Sequence, residues 1–112
     1  MKMILAVVWK DDEEGVTEML NEGGFYVTKL ATKGGFLKKT NSTLLIGTED
    51  EKVDAALAII RKYAGKREIT VHEPLSEMVH VPGSAPAVSV PVKQTIGGCT
   101  VFVLDMDKFE KM

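Results

Sequence analysis

Thr28-Lys-Leu-Ala-Thr-Lys-Gly-Gly-Phe-Leu-Lys-Lys-Thr-Asn-Ser-Thr-Leu-Leu-Ile-Gly47 sets a two-glycine turn between two strand-like runs and loads that turn with lysine. Phe25, Val27 and Leu30 begin the first run, Lys33-Gly34-Gly35 reverses the chain, and Thr43, Leu44, Leu45 and Ile46 return as a partner strand closed by Gly47. Residues 23–48 contain no Asp or Glu, whereas Lys29, Lys33, Lys38 and Lys39 add positive charge to a chain of formal net charge −2. A local basic surface on an acidic chain calls for a local anionic partner. The stretch reads as a hairpin for an anion and a base.

Working outward, Ile4, Leu5, Ala6, Val7, Val8 and Trp9 form a continuous apolar run, as in a central strand buried on both faces. Asp11 and Asp12 then offer an N-cap, with Asp12, Glu13 and Glu14 placed where a helix dipole favours negative charge, ahead of Val16, Met19 and Leu20 at helical spacing. Gly23 and Gly24 end that helix. Beyond the hairpin, Thr48 and Glu51 make a capping box, and Val53, Ala56, Leu57, Ile60 and Ala64 recur at helical spacing until Gly65. Residues 68–72 predict a fourth strand, and residues 73–87, with Pro74, Pro82, Gly83 and Pro86, a long mobile loop of the kind that serves as a lid or partner-binding element. Val88, Val90 and Val92 alternate, Gly97-Gly98 turns, and residues 99–104 resume a buried strand before a short tail containing Phe109. The expected architecture is α+β: a ferredoxin-like βαββαβ arrangement with an additional terminal β-hairpin.

With 112 residues and 45% hydrophobic content, the chain predicts one domain, residues 1–112, with a modest core. No run approaches the ~18 apolar residues of a membrane span, and the N-terminal run is too short for a signal peptide, so no membrane insertion and a cytoplasmic location are expected. Cys99 is the single cysteine, which excludes an intrachain disulfide and agrees with a reducing compartment. Asn41-Ser42-Thr43 matches a glycosylation pattern without meaning in that compartment.

Several motifs carry no chemistry. The string from Gly34 to Thr40 lacks the phosphate-loop spacing and leads into a strand, not a helix. His72, Glu73, Glu77 and His80 fit no recognised metal-site spacing, so no metal is expected. Cys99 leads an apolar strand as a small buried residue does, and no His or acid pairing marks a catalytic set. The hairpin residues are compatible with a nucleotide instead. Thr28 offers a hydroxyl, Lys29 or Lys33 a cation, and Gly34 and Gly35 a backbone that exposes N–H groups, while Phe36 can stack on a base and the Asn41 amide can pair with a base edge. Plain roles are open as well: Phe36 as an exposed hairpin residue or intersubunit plug, Asn41 and Gly47 as punctuation around a strand, and Phe102, in a run of Val and Leu, as a core aromatic.

The chain resembles the PII-like cyclic di-AMP receptor proteins of Gram-positive bacteria. The likeness is carried by Met1-Lys-Met-Ile-Leu-Ala-Val-Val8, by the block ending at Gly47 with its Thr-Lys-Leu-Ala-Thr-Lys-Gly-Gly-Phe-Leu core, by Gly65-Lys-Arg-Glu68, and by Gly97-Gly-Cys-Thr-Val-Phe-Val-Leu104. The resemblance implies a non-enzymatic signal transduction protein, a homotrimer of ferredoxin-like subunits with the dinucleotide in clefts between neighbours, read by a downstream protein. It places Thr28 near phosphate, Gly35, Phe36 and Leu37 around an adenine, Asn41 and Gly47 at polar contacts, and Phe102 at a further base contact. Tyr26 stands where members commonly carry an arginine, and the tail Phe109-Glu-Lys-Met112 lacks a glutamine they often have, so Lys29, Lys38 or Lys111 is expected to supply the missing donors. Cyclic di-AMP would be the ligand, with no cofactor and no nucleic acid polymer. The alternative is a PII-like or cation-tolerance-like trimer that binds another nucleotide, or a metal through His72 and His80.

Overall fold

The computed structural model describes residues 1–30, 41–74 and 89–112. Strand β1 (Lys2–Trp9), helix α1 (Lys10–Glu22), strands β2 (Tyr26–Leu30) and β3 (Asn41–Thr48), helix α2 (Val53–Ala64), strands β4 (Arg67–Pro74) and β5 (Ser89–Ile96) and strand β6 (Thr100–Asp105) follow in order. They make a mixed α+β protein with antiparallel sheets and two helices, compatible with a ferredoxin-like fold. Contacts divide it into two compact units, residues 1–66 with 97–112, and residues 67–96. Among the described residues, no helix is long and apolar enough to cross a membrane.

The larger unit holds a four-stranded sheet of order β2-β3-β1-β6. Side chains alternate across a strand, so Ile4, Ala6 and Val8 of β1 and Leu44 and Ile46 of β3 share one face, where they are buried with Val16 and Leu20 of α1 and Ala56, Ile60 and Ala64 of α2. Both helices therefore spend their apolar stripes on the same face, and among the described residues no helix covers the other.

The order of the edge strands departs from the sequence expectation. The place beside β1 is taken by β6, whose Val103 lies opposite Ile4 and whose Phe102 lies opposite Leu5. Residues 68–72 do not join this sheet, and the expected pairing of the last two strands into a terminal hairpin is not made. Instead β4 pairs with β5, Arg67 opposite Ile96 through Pro74 opposite Ser89, as the two-stranded ribbon of the smaller unit. The reason is composition. Val101 of β6, opposite Ala6, packs against the buried cluster and residues 102–104 continue apolar, whereas Glu68, Thr70 and His72 make one face of β4 polar.

Two expected caps are also corrected. Helix α1 begins at Lys10, directly from the paired Trp9 of β1, with no side-chain cap; Asp11, Asp12 and Glu13 lie in its first turn and act through the helix dipole. Thr48 is buried at the end of β3 opposite Lys2, so it makes no capping box, and a 3-10 turn over Asp50–Lys52 leads into α2 instead. Asp50 takes the Met1 amino group at 3.0 Å, which holds its carboxyl below the usual range. At the far end of α2 the Gly65 N–H donates to the Arg61 carbonyl at 3.1 Å, and Gly98 donates to the Ala64 carbonyl at 3.0 Å across a Gly97-Gly98 turn with φ of 77° and 109°.

Candidate functional site

The strand register makes three cross-strand rows on the uncovered face. They run Tyr26, Gly47, Met3, Leu104; then Thr28, Leu45, Leu5, Phe102; then Leu30, Thr43, Val7, Thr100. Phe102 and Leu104 are 51% and 46% exposed, large apolar groups that a lone sheet leaves in water.

Of the residues expected at a ligand, Tyr26, Thr28, Asn41, Gly47 and Phe102 all fall on this face. They are not all together. Asn41 and Gly47 stand six positions apart on β3, roughly 20 Å at about 3.3 Å per residue. Thr28 and Phe102 sit in one row but on opposite edge strands, three interstrand spacings or about 14 Å apart. Gly35, Phe36, Leu37 and Lys38 lie outside the described residues, as do Glu77 and His80 of the metal alternative. Among the described residues, no group of three His, Cys, Asp or Glu is placed to hold a metal ion.

Lys29 is directed to the helical face instead. Its Nζ meets the Glu13 carboxylate at 2.7 Å, and the Ser42 hydroxyl donates to the same carboxylate at 2.5 Å. Burial works against the charge of Glu13, yet the hydrogen bonds from Lys29 and Ser42 hold its carboxyl below the ordinary 4.5. This network ties α1 to β2 and β3, so Lys29 already serves the fold.

At the Tyr26 end of the open face lies a cavity of about 220 Å³, lined by Met3, Tyr26, Thr28, Leu45 and Gly47 of the sheet and by Met106 and Phe109 of the C-terminal tail. Lys111 of the same tail lies with its Nζ 3.9 Å from the centre of the Tyr26 ring. Hydrogen bonding and charge from Lys111 lower the pKa of the Tyr26 phenol from its ordinary 10.0. The site thus combines an aromatic ring, a hydroxyl, a bare strand backbone at Gly47 and a cation, which suits a planar base joined to an anionic group. The tail contribution of Met106 and Phe109 was not among the expected site residues. Its one sequence signal is an aromatic ring isolated in a charged tail, Asp107-Lys108-Phe109-Glu110-Lys111.

The sequence pattern of the cyclic-di-AMP receptor family matches residues 1–112, the whole chain. The chain belongs to the cyclic-di-AMP receptor family. A crystal structure of a functionally unknown protein from Pediococcus pentosaceus ATCC 25745 is similar at 33% identity and a TM-score of 0.72, covering 99% of this chain and 96% of that one. The open sheet face presents one recess among the described residues, whereas the recess along α1 is lined by Lys10, Glu13, Glu14, Glu18 and Glu22 and would repel a phosphate.

Proposed function

We propose that this chain is a receptor for cyclic di-AMP, a homotrimer whose clefts between neighbouring subunits each take one dinucleotide. Membership of the receptor family supports the ligand. The observation that carries the cleft is the separation of Thr28 and Phe102 on the two edge strands of one open face. One bound base cannot touch both within a subunit, but the Phe102 edge of one subunit set against the Thr28 edge of the next brings them to a single site, and such a head-to-tail contact closes into a ring. The 220 Å³ cavity points the same way, since small-molecule sites usually occupy about 300–1,000 Å³. A dinucleotide needs further walls, from a neighbour and from the segment carrying Gly35, Phe36 and Leu37.

The chemistry follows. Thr28 donates its hydroxyl to a phosphate oxygen, Phe36 and Phe102 stack on adenines, and Asn41 pairs with a base edge, while Lys111 or Lys38 neutralises charge. The work is binding rather than catalysis. Occupancy would be passed on through the hairpin around Phe36 and residues 73–87, most of which lie outside the described residues, provided the ligand interacts differently with their bound and free states. A downstream protein reads that surface, in the reducing cytoplasm that the lone Cys99 suits.

Calorimetric titration tests the reading. Cyclic di-AMP is expected to bind at micromolar strength or tighter, near one per subunit, with cyclic di-GMP and ATP weaker; no heat with any of the three would overturn it.

A further inference from the structure

We infer that Glu13 of α1 is a positioning residue for the ligand site, gripping β2 and β3 from the helical side so that Thr28 and Asn41 stand at fixed places on the open face. This rests on the cyclic di-AMP reading above and deepens it. The two oxygens of the Glu13 carboxylate take different strands: Oε1 meets Lys29 Nζ of β2 at 2.7 Å, and Oε2 accepts from the Ser42 hydroxyl of β3 at 2.5 Å. Lys29 directly follows Thr28, and Ser42 directly follows Asn41. Successive side chains of a strand point to opposite faces, so each residue held from behind is the immediate neighbour of one that faces the ligand.

The grip falls where the sheet itself supplies least. Among the described residues, the ladder between β2 and β3 runs from Tyr26 opposite Gly47 to Leu30 opposite Thr43, so Asn41 and Ser42 lie past its end and are paired with Trp9 and Val8 of β1. The Glu13 carboxylate ties β2 to β3 beyond that ladder. Its own place is firm, because Val16 and Leu20 of the same helix are buried in the core. Ser42 is buried and Glu13 nearly so, which shields the tie from water and makes it stronger than an exposed ion pair. Asp11 serves the same helix terminus from an exposed position, so turning Glu13 toward the sheet is a separate use of a carboxylate. Lys29, held behind the sheet, stiffens the strand that presents the Thr28 hydroxyl instead of reaching for the phosphate itself.

The test is calorimetry of the full chain with cyclic di-AMP at neutral pH, well below the melting temperature, comparing wild type with Glu13→Gln, Lys29→Met and the double variant. Glu13→Gln is expected to weaken binding by about twofold to thirtyfold, the range for residues that act through a network without touching the ligand. Lys29→Met is expected to weaken it by a similar factor, and the double variant by no more than the larger single effect, because both changes remove one tie. A pair that only stabilises the fold would lower the melting temperature and leave the affinity of the folded chain unchanged, and that result would overturn the positioning role. Tighter binding in Glu13→Gln would overturn it too, by showing that the carboxylate withholds Lys29 from the phosphates. Should Glu13→Gln fail to fold, Ser42→Ala removes one arm of the same tie and is expected to weaken binding; unchanged affinity there would overturn the role. All of these leave the receptor reading standing, whereas absence of binding by the wild-type chain would overturn both.

Discussion

Gly47 of β3 and Glu13 of α1 show how differently two residues against the same sheet can be constrained. Gly47 sits in regular strand, and a Cβ there would meet Met106 Cε at 3.5 Å and Phe109 at 3.6 Å, ordinary contact distances. Neither a positive φ nor a close contact demands glycine there, so Gly47→Ala is expected to leave the tail in place. Glu13, 16% exposed, is constrained by charge: Lys29 and Ser42 together outweigh the burial that opposes its ionisation. Because its folded-state pKa lies below the unfolded one, the stabilisation is complete above the ordinary value of 4.5 and is lost as pH falls through the folded value. Glu13→Gln should therefore cost about 1–3 kcal/mol at neutral pH and show a shallower loss of stability on acidification. Denaturant melts of both chains across the acid range check this; parallel curves would relieve Glu13 of the role.

At the scale of elements, what sequence made legible were those with strong local periodicity. The apolar run of β1, the hairpin strands β2 and β3, and the stripe of Ala56, Ile60 and Ala64 on α2 all appear where periodicity places them. Partnering was less legible, because β4 and β6 compete for the same edge of β1 and that choice is made by long-range packing. Residues 101–104 take that edge with Val101 packed against the buried cluster, which alternation within β4 alone does not reveal. The same limit applies to the site. Tyr26, Thr28 and Gly47, which line the cavity, come from one continuous stretch of sequence, but Phe109 meets Gly47 only once β6 carries the tail back across the sheet. The stop of α2 is a sharper element: a Cβ at Gly65 would fall 2.3 Å from the Arg61 carbonyl oxygen. Gly65→Ala should cost about 1–3 kcal/mol and lower the melting temperature, since that clash is with backbone that cannot swing aside. An unshifted melt would mean the turn relaxes freely.

For the whole molecule, one open face has two distinct edges to match. The sheet covers its helical side with α1 and α2 and leaves Leu5, Leu45, Phe102 and Leu104 on the other, an apolar surface of the kind that subunit assembly removes from water. Under the proposed function the Thr28 edge of each subunit would meet the Phe102 edge of the next, so every ligand would be shared. Subunit mixing tests this most directly. Thr28→Val and Phe102→Ala chains are each expected to bind cyclic di-AMP weakly alone, while trimers refolded from an equal mixture regain wild-type affinity at a fraction of their sites, about one in four, where an intact Thr28 faces an intact Phe102. No recovery in mixed trimers, with wild type binding normally, would contradict a site built between subunits.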